Sequence, residues 1–306
     1  MSDATPIAVT SRSFSRHEVL RTELLERYSN VRFNDEGRAL AGDDLVAFLQ
    51  GCVKAITALE RIDEAVLSRL PTLRVISKVG VGIDMIDVAA VERHGIKLSW
   101  SRGTNSRSVA ELTIAFALSL LRHVSTVNRE LREGVWRQHP GRTLSGRTVG
   151  LIGFGSVGRE VARLLQPFGC TLLCYDVADT SVHRADLDVT ATSLEELLQL
   201  SDVVSLHLDL NDGSRNILDR QHLALLRPNA ILINTSRGHL VDEVALKDML
   251  VEGRLAGAAF DVFAVEPPDD AELVRLPNFL ATPHIGGSTE EAILAMGRAA
   301  IAGLDA

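Results

Sequence analysis

One pattern repeats through the second half of the chain: a short, almost wholly apolar run, then an amphipathic stretch. The runs are Thr148–Gly153, Thr171–Asp176, Val203–Leu208, Ala230–Asn234 and Gly257–Val262. The stretches between them are Gly158–Gln166, Ser193–Leu200, Arg220–Leu226 and Asp242–Val251. A strand that is apolar on both faces needs cover on both, which a parallel sheet flanked by helices supplies. The first hundred residues repeat the rhythm on a smaller scale. Strands are predicted at Ile7–Thr10, Val53–Thr57, Arg74–Ser77 and Ile96–Ser99, with helices at Val19–Tyr28, Asp43–Leu49, Glu64–Leu70 and Asp87–His94. Between the two halves, Ser106–Arg132 holds neither glycine nor proline and predicts one long helix, capped at Asn105 or Ser106 and ended by Gly134. Ser288–Leu304 predicts a last helix that need not belong to the sheet before it. For 306 residues this gives an α/β chain of two parallel-sheet domains.

Charge and cysteine content narrow the function. Lys and Arg total 32 and Asp and Glu 40, a net charge of −8, which offers no general attraction to nucleic acid or anionic membrane. Apolar stretches such as Leu112–Leu121 are interrupted by Thr113 and Ser119 and fall short of the ~20 residues of a membrane span. Met1-Ser2-Asp3 does not begin like a signal peptide. Cys52, Cys170 and Cys174 have no metal-ligand spacing, so neither a disulfide framework nor a metal is expected. The expectation is a soluble, cytoplasmic protein of two domains.

The run Val149-Gly150-Leu151-Ile152-Gly153-Phe154-Gly155-Ser156-Val157-Gly158 reads as a strand, a glycine turn and a helix start. In a Gly-x-Gly-x-x-Gly turn of this kind Gly153 permits the tight bend. Gly155 lets a pyrophosphate reach the backbone, and Gly158 lets helix and strand pack closely. The helix start then offers free N–H groups to phosphates. Alone the motif is weak. Here the next strand ends at Asp176, eighteen residues past Gly158, where an acid meets a ribose 2′-hydroxyl and repels a 2′-phosphate. The pairing points to a Rossmann-like domain binding NAD in preference to NADP. Arg184 is the nearest downstream cation that would argue otherwise.

Three further segments follow strands of that domain. Asn234-Thr235-Ser236-Arg237-Gly238 brings an arginine, Phe263-Ala264-Val265-Glu266-Pro267 an acid, and Thr282-Pro283-His284-Ile285-Gly286-Gly287 a histidine. Taken singly, each is more often a strand cap, a solvated acid or a loop hydrogen-bonder. Together, beyond strand ends that carry a dinucleotide turn, they suggest a reaction site. Hydride transfer to a ketone needs a proton for the developing alkoxide. A histidine suits that role, with an adjacent carboxylate to raise its pKa and hold its orientation.

With these segments, Val79-Gly80-Val81-Gly82-Ile83-Asp84, Gly103-Thr104-Asn105, Val109-Ala110-Glu111 and His284-Ile285-Gly286-Gly287-Ser288-Thr289 complete a set whose order and spacing span nearly the whole chain. The chain resembles the D-isomer-specific 2-hydroxyacid dehydrogenases and is most similar to the D-3-phosphoglycerate dehydrogenase branch. The resemblance implies a flavodoxin-like substrate domain, residues 1–101 and 284–306, with an NAD-binding Rossmann domain, 102–283, inserted into it. It implies that Arg237 holds the substrate carboxylate and polarises the keto oxygen, that His284 is the general acid/base, and that Glu266 is its partner. Val81, Gly82 and Asn105 would meet the substrate. Ser156, Val157, Leu208, Thr235, Ser236, Asp261 and Gly287 would line the cofactor beside Gly153, Gly155, Gly158 and Asp176. A homodimer built through the nucleotide domain, by the helix from Ser106, is implied too.

Departures from the branch bear on the substrate. Its Arg-Ser-x-Thr run is Thr57-Ala58-Leu59-Glu60 here, replacing a cation and hydroxyls for a phosphate with a like charge. The usual proline of an Ala-Pro-Gly turn is Arg102, and a Leu-Pro-Leu-Thr strand end is Leu208-Asp209-Leu210-Asn211. Arg102 and Arg107 are the candidate replacements for the missing cation. The expected activity is NAD-dependent interconversion of a D-2-hydroxy acid and its 2-keto acid, and an unphosphorylated substrate is expected. Phosphoglycerate dehydrogenase proper and glyoxylate/hydroxypyruvate reductase stand as alternatives. Outside catalysis, an NAD(H)-sensing corepressor-like scaffold shares the Arg, Glu and His. Formate dehydrogenase is disfavoured, since that branch is expected to carry Gln beside its histidine.

Overall fold

The structure is a computed structural model that describes residues 3–178 and 186–305. It divides into two units, one formed by Met1–Asn105 with Gly287–Ala306 and the other by Ser106–Gly286.

The terminal unit is a parallel sheet of β1 (Ile7–Val9), β2 (Val31–Phe33), β3 (Lys54–Thr57), β4 (Val75–Lys78) and β5 (Lys97–Ser99), in the order β2-β1-β3-β4-β5. This 2-1-3-4-5 order is that of flavodoxin-like sheets, whose ligands bind beyond the strand ends where the order reverses. Here the reversal lies between β1 and β3, so the Thr57–Glu60 segment leaves the sheet at that crevice. In register, Thr57 pairs with Lys78, which puts the Val79–Gly82 turn beside it. The last helix, Glu290–Ala302, packs in this unit. A side chain at Gly297 would collide with Leu20, Ser77 Oγ donates to the Ala300 carbonyl at 2.7 Å, and Arg298 pairs with Glu23.

The inner unit is a parallel sheet of β6 (Thr148–Ile152), β7 (Thr171–Tyr175), β8 (Val189–Ala191), β9 (Val203–Leu206), β10 (Ile231–Asn234), β11 (Gly257–Phe260) and β12 (Phe279–Ala281). Their order is β12-β11-β10-β9-β6-β7-β8, so direction of travel reverses between β6 and β9. Alternate residues of each strand feed two cores. Val149, Leu151, Ile233 and Ala259 join Phe116, Ala117, Val161 and Leu165 on one face. Ile152, Val204, Leu206 and Phe260 join Leu197, Leu246 and Leu250 on the other. That double burial is why the strands are continuously apolar.

Two expectations need correction. The single helix from Ser106 to Arg132 is two, Ser106–Leu121 and Val124–Arg132, bent by 62°. The Leu121 carbonyl accepts the Arg142 N–H at 2.8 Å, and His123 takes a left-handed φ of 56°. Beyond Leu121 the second helix buries no residue, so core packing gives it no reason to continue the axis of the first. The division of the chain also falls a few residues later than 101/102 and 283/284. At the second boundary Asp261 is the cause: its backbone carbonyl takes the His284 N–H, and its carboxylate takes those of Ile285 and Gly286. His284 is thereby tied to the inner unit.

Candidate active site

The glycine turn sits at the reversal between β6 and β9. Gly153 has φ 98°, and a Cβ there would stand 2.5 Å from the carbonyl oxygen of His207, the residue after β9. A Cβ at Gly158 would strike the Gly153 carbonyl, so the helix Ser156–Leu165 meets the turn backbone to backbone. A Cβ at Gly155 would meet nothing within 4 Å, leaving the open approach that a pyrophosphate requires. Ser156 and Val157 form the first turn of this helix, half-buried, with the N–H groups of a ten-residue helix behind that opening. Leu208 leans on the turn: its Cδ2 lies 3.0 Å from a Cβ at Gly153. Asp176, just past β7, accepts the Phe154 N–H at 2.7 Å and the Ala178 N–H at 2.9 Å. The acid and the glycine turn are therefore brought together. Arg184 lies outside the described residues.

His207, to which the sequence reading gave no role, is buried under this turn. Neither ring nitrogen has a hydrogen-bond partner among the described residues, and burial pushes its pKa down to about 3, so it is a neutral imidazole. A donor or acceptor waiting beneath the turn, an open Gly155 and a free helix start together fit a dinucleotide.

The arginine turn is shaped by Asn234, also unassigned from sequence. Fully buried at the end of β10, its side chain accepts the Ser236 N–H and donates to the Arg237 carbonyl. Two such bonds, each contributing about 1 kcal/mol, fix a three-residue bend. The Thr235 and Ser236 hydroxyls point inward, to Thr113 Oγ1 at 3.1 Å and to the Leu206 carbonyl at 2.8 Å. Arg237 Nη1 bonds the Ser236 carbonyl at 2.7 Å.

His284 and Glu266 meet directly, Nδ1 to Oε2 at 2.8 Å, leaving Nε2 for a reactant. Burial pushes the Glu266 carboxyl up. The hydrogen bond and charge of His284, the Phe263 N–H and nearby Arg237 outweigh that and hold it below the usual carboxylate range. His284 takes a left-handed φ of 55°, which costs a non-glycine residue about 1–2 kcal/mol. Asp261 offsets it. This residue, 1% exposed, is surrounded by the Thr282 hydroxyl (2.5 Å) and the Ile285 (2.8 Å) and Gly286 (2.7 Å) N–H groups. Charge-assisted bonds of about 1.5–3 kcal/mol each exceed the backbone cost. Asp261, expected to line the cofactor, thus already has its carboxylate engaged in holding the histidine loop.

The expected substrate contacts Val81, Gly82 and Asn105 lie in the terminal unit. Val81 and Gly82 are half-buried in the turn after β4. Lys78, another residue missed from sequence, is buried beneath that turn with Nζ donating to the Val79 carbonyl at 3.2 Å. Asn105 packs against Gly287, and its Oδ1 is buried without a hydrogen-bond partner among the described residues. Glu60 turns back to accept the Ala58 N–H at 2.6 Å. Arg107, a candidate for the missing phosphate cation, is instead committed to Glu111 (2.7 Å) and Glu160 (2.9 Å). In place of the Leu-Pro-Leu-Thr turn, Asn211 caps the Gly213 and Ser214 N–H groups. Among the described residues, no group of three or more His, Cys, Asp or Glu is placed to hold a metal.

A dinucleotide turn with its acid, and an imidazole–carboxylate pair with an arginine in the same unit, define an NAD-dependent oxidoreductase. Residues 114–286 match the family described as D-isomer specific 2-hydroxyacid dehydrogenase, NAD binding domain. The chain is 37% identical to hydroxypyruvate reductase of Thermotoga maritima over 89% of both chains. It is 34% identical to D-3-phosphoglycerate dehydrogenase of Bacillus subtilis over 83% of this chain and 48% of that one, so it spans about half that relative's length. The solved D-lactate dehydrogenase of Aquifex aeolicus, complexed with NAD and lactic acid, superposes with a TM-score of 0.84 at 25% identity, covering 97% of this chain and 93% of that one. The chain belongs to the D-isomer-specific 2-hydroxyacid dehydrogenase family: it is an NAD-binding enzyme of the oxidoreductase class.

Proposed function

We propose that this enzyme reduces a small, unphosphorylated 2-keto acid of the glyoxylate or hydroxypyruvate type to the D-2-hydroxy acid, and runs the reverse oxidation. The observation that carries the chemistry is the 2.8 Å contact between His284 and Glu266, in the same unit as Arg237 and the glycine turn. Gly153, Gly155, Gly158 and Asp176 would hold NADH, which would supply a hydride for the keto carbon. Asp176 accepts a ribose hydroxyl, favouring NAD over its phosphorylated form. Arg237 binds the substrate carboxylate, which a guanidinium grips with two parallel bonds, and polarises the keto oxygen. His284 delivers the proton from Nε2 to that oxygen as it becomes an alkoxide, and Glu266 holds the ring and balances its charge. Val81, Gly82 and Asn105 are proposed substrate contacts from the terminal unit.

The Thr57–Glu60 segment supports the choice of substrate. It leaves its sheet at the crevice position but carries no cation, and its carboxylate is folded onto the backbone. A panel of glyoxylate, hydroxypyruvate, phosphohydroxypyruvate and 2-ketoglutarate assayed with NADH tests the reading. Unphosphorylated acids are expected to give the higher kcat/KM. A clear preference for phosphohydroxypyruvate overturns it and points to Lys78 and Arg102 as phosphate ligands.

A homodimer is part of the proposal. The helix Val124–Arg132 buries none of its residues, while Val124, Leu131, Val135 and Trp136 are exposed, the last by 83%. Sedimentation of the wild type and of Trp136→Asp tests it. A cytoplasmic location is proposed because Cys52, Cys170 and Cys174 form no disulfide.

A further inference from the structure

The acid Glu266 is carried on a segment with no regular structure. Between the end of β11 and the short helix Ala271–Arg275, residues 261–270 form neither helix nor strand, and Val265 and Glu266 are exposed. An acid that must meet a histidine at 2.8 Å cannot be left to such a segment unless something else fixes it. The neighbouring helix Glu243–Val251 does so at two points one turn apart. Glu243 Oε1 accepts the Ala264 N–H at 2.7 Å, and Lys247 Nζ bonds Asp270 Oδ2 at 2.7 Å. Glu243 is not needed by its own helix, whose cap is Asp242, bonded to the Ala245 N–H. Gly238, next to Arg237, lies so close to the Phe263–Ala264 peptide that any side chain there would overlap it. The successive N–H groups of Phe263 and Ala264 are thus taken by two carboxylates, Glu266 and Glu243.

We propose that Glu243 is a positioning residue for the acid–base pair: by anchoring Ala264 against the Arg237–Gly238 turn it fixes the segment that aims Glu266 at His284. This rests on the reading of His284 and Glu266 as that pair. The charged groups acting on Glu243 are Asp269, Asp270 and Glu266 on the opposite segment, and Lys247, one turn along its own helix, is bonded to Asp270 and Glu272. Burial, then the three acids, push its carboxyl above the usual range against the pull of the Ala264 N–H. The amide of glutamine also offers an oxygen to that N–H, so the anchor separates from the charge.

The test compares pH–rate profiles of Glu243→Ala, Glu243→Gln, Glu266→Gln and the double variant Glu243→Ala/Glu266→Gln, with NADH affinity followed by fluorescence. Glu243→Ala is expected to lower kcat about tenfold, as a small misplacement of a reacting group does, with NADH affinity retained. Its profile should move in the same direction as that of Glu266→Gln. Glu243→Gln should recover most of the lost rate. In the double variant the second change should add no further shift, because Glu243 acts through Glu266. If Glu266→Gln shifts the profile and Glu243→Ala does not, or if their shifts add, the positioning role is overturned while the pair stands. A profile unmoved by Glu266→Gln removes the pair itself. Should Glu243→Ala fail to fold, Glu243→Gln decides: a rate depressed about tenfold there overturns an anchor that needs only an acceptor oxygen.

Discussion

Replacing Glu266 by Gln removes one charge while leaving an oxygen that still accepts the His284 Nδ1–H. The partners are 2.8 Å apart, atom to atom. Opposite charges about 4 Å apart attract by about 4 kcal/mol at an effective dielectric of 20 and by about 1 kcal/mol in bulk water. The side chains are 37% and 39% exposed, so solvent screening brings the pair toward the lower figure, about 1–2 kcal/mol. At about 1.4 kcal/mol per pH unit, the expected displacement is about one unit. The sign follows from the groups. Glu266 is held below the usual carboxylate range, so it is a fixed negative charge that favours a proton on its partner. Without that charge the limb of the pH–rate profile that depends on the transferred proton moves to lower pH. The alkaline fall of keto-acid reduction and the acid fall of hydroxy-acid oxidation should both move down by about one unit. Steady-state kcat/KM for both directions, measured across the histidine range, provides the assay. Profiles superimposable on wild type would refute the pairing as the source of the proton's tuning.

The other variants separate binding from proton transfer. His284→Ala should lower kcat about a hundredfold or more while NADH affinity, read by fluorescence titration, changes little. Arg237→Lys should lose activity on every keto acid, because a point charge does not reproduce a two-bond grip on a carboxylate. Retained activity on any one of them would move the carboxylate elsewhere. Asp176→Ser should narrow the preference for NADH over NADPH. It should also lower Tm slightly, since the Phe154 N–H loses a charged acceptor.

Most of the sheet was legible in the sequence because strands such as Val203–Leu206 are buried on both faces and must be apolar throughout. The three-residue edge strands Val189–Ala191 and Phe279–Ala281 were not, since each pairs on one side only and carries too little pattern. The bend after Leu121 has no glycine or proline to announce it, and its cause, the Arg142 N–H, comes from a later segment of chain. The site divides in the same way. Arg237, Glu266, His284 and the glycine turn are marked by residue type and by their place after strands. The residues that hold them are not. Asn234 reads as a strand end, Asp261 as a cofactor contact and Glu243 as an ordinary first-turn acid, until hydrogen bonds formed on folding show which backbone each one fixes. Arg107 is the opposite case: a cation available by sequence that folding commits to Glu111 and Glu160.

The central claim is D-specific hydride exchange assisted by His284, and product chirality together with cofactor oxidation tests it most directly. Purified enzyme given NADH and hydroxypyruvate should oxidise one NADH for each glycerate formed, all of it the D-enantiomer, and His284→Ala should suppress both together. L-glycerate, or NADH oxidation equal in wild type and His284→Ala, contradicts the account.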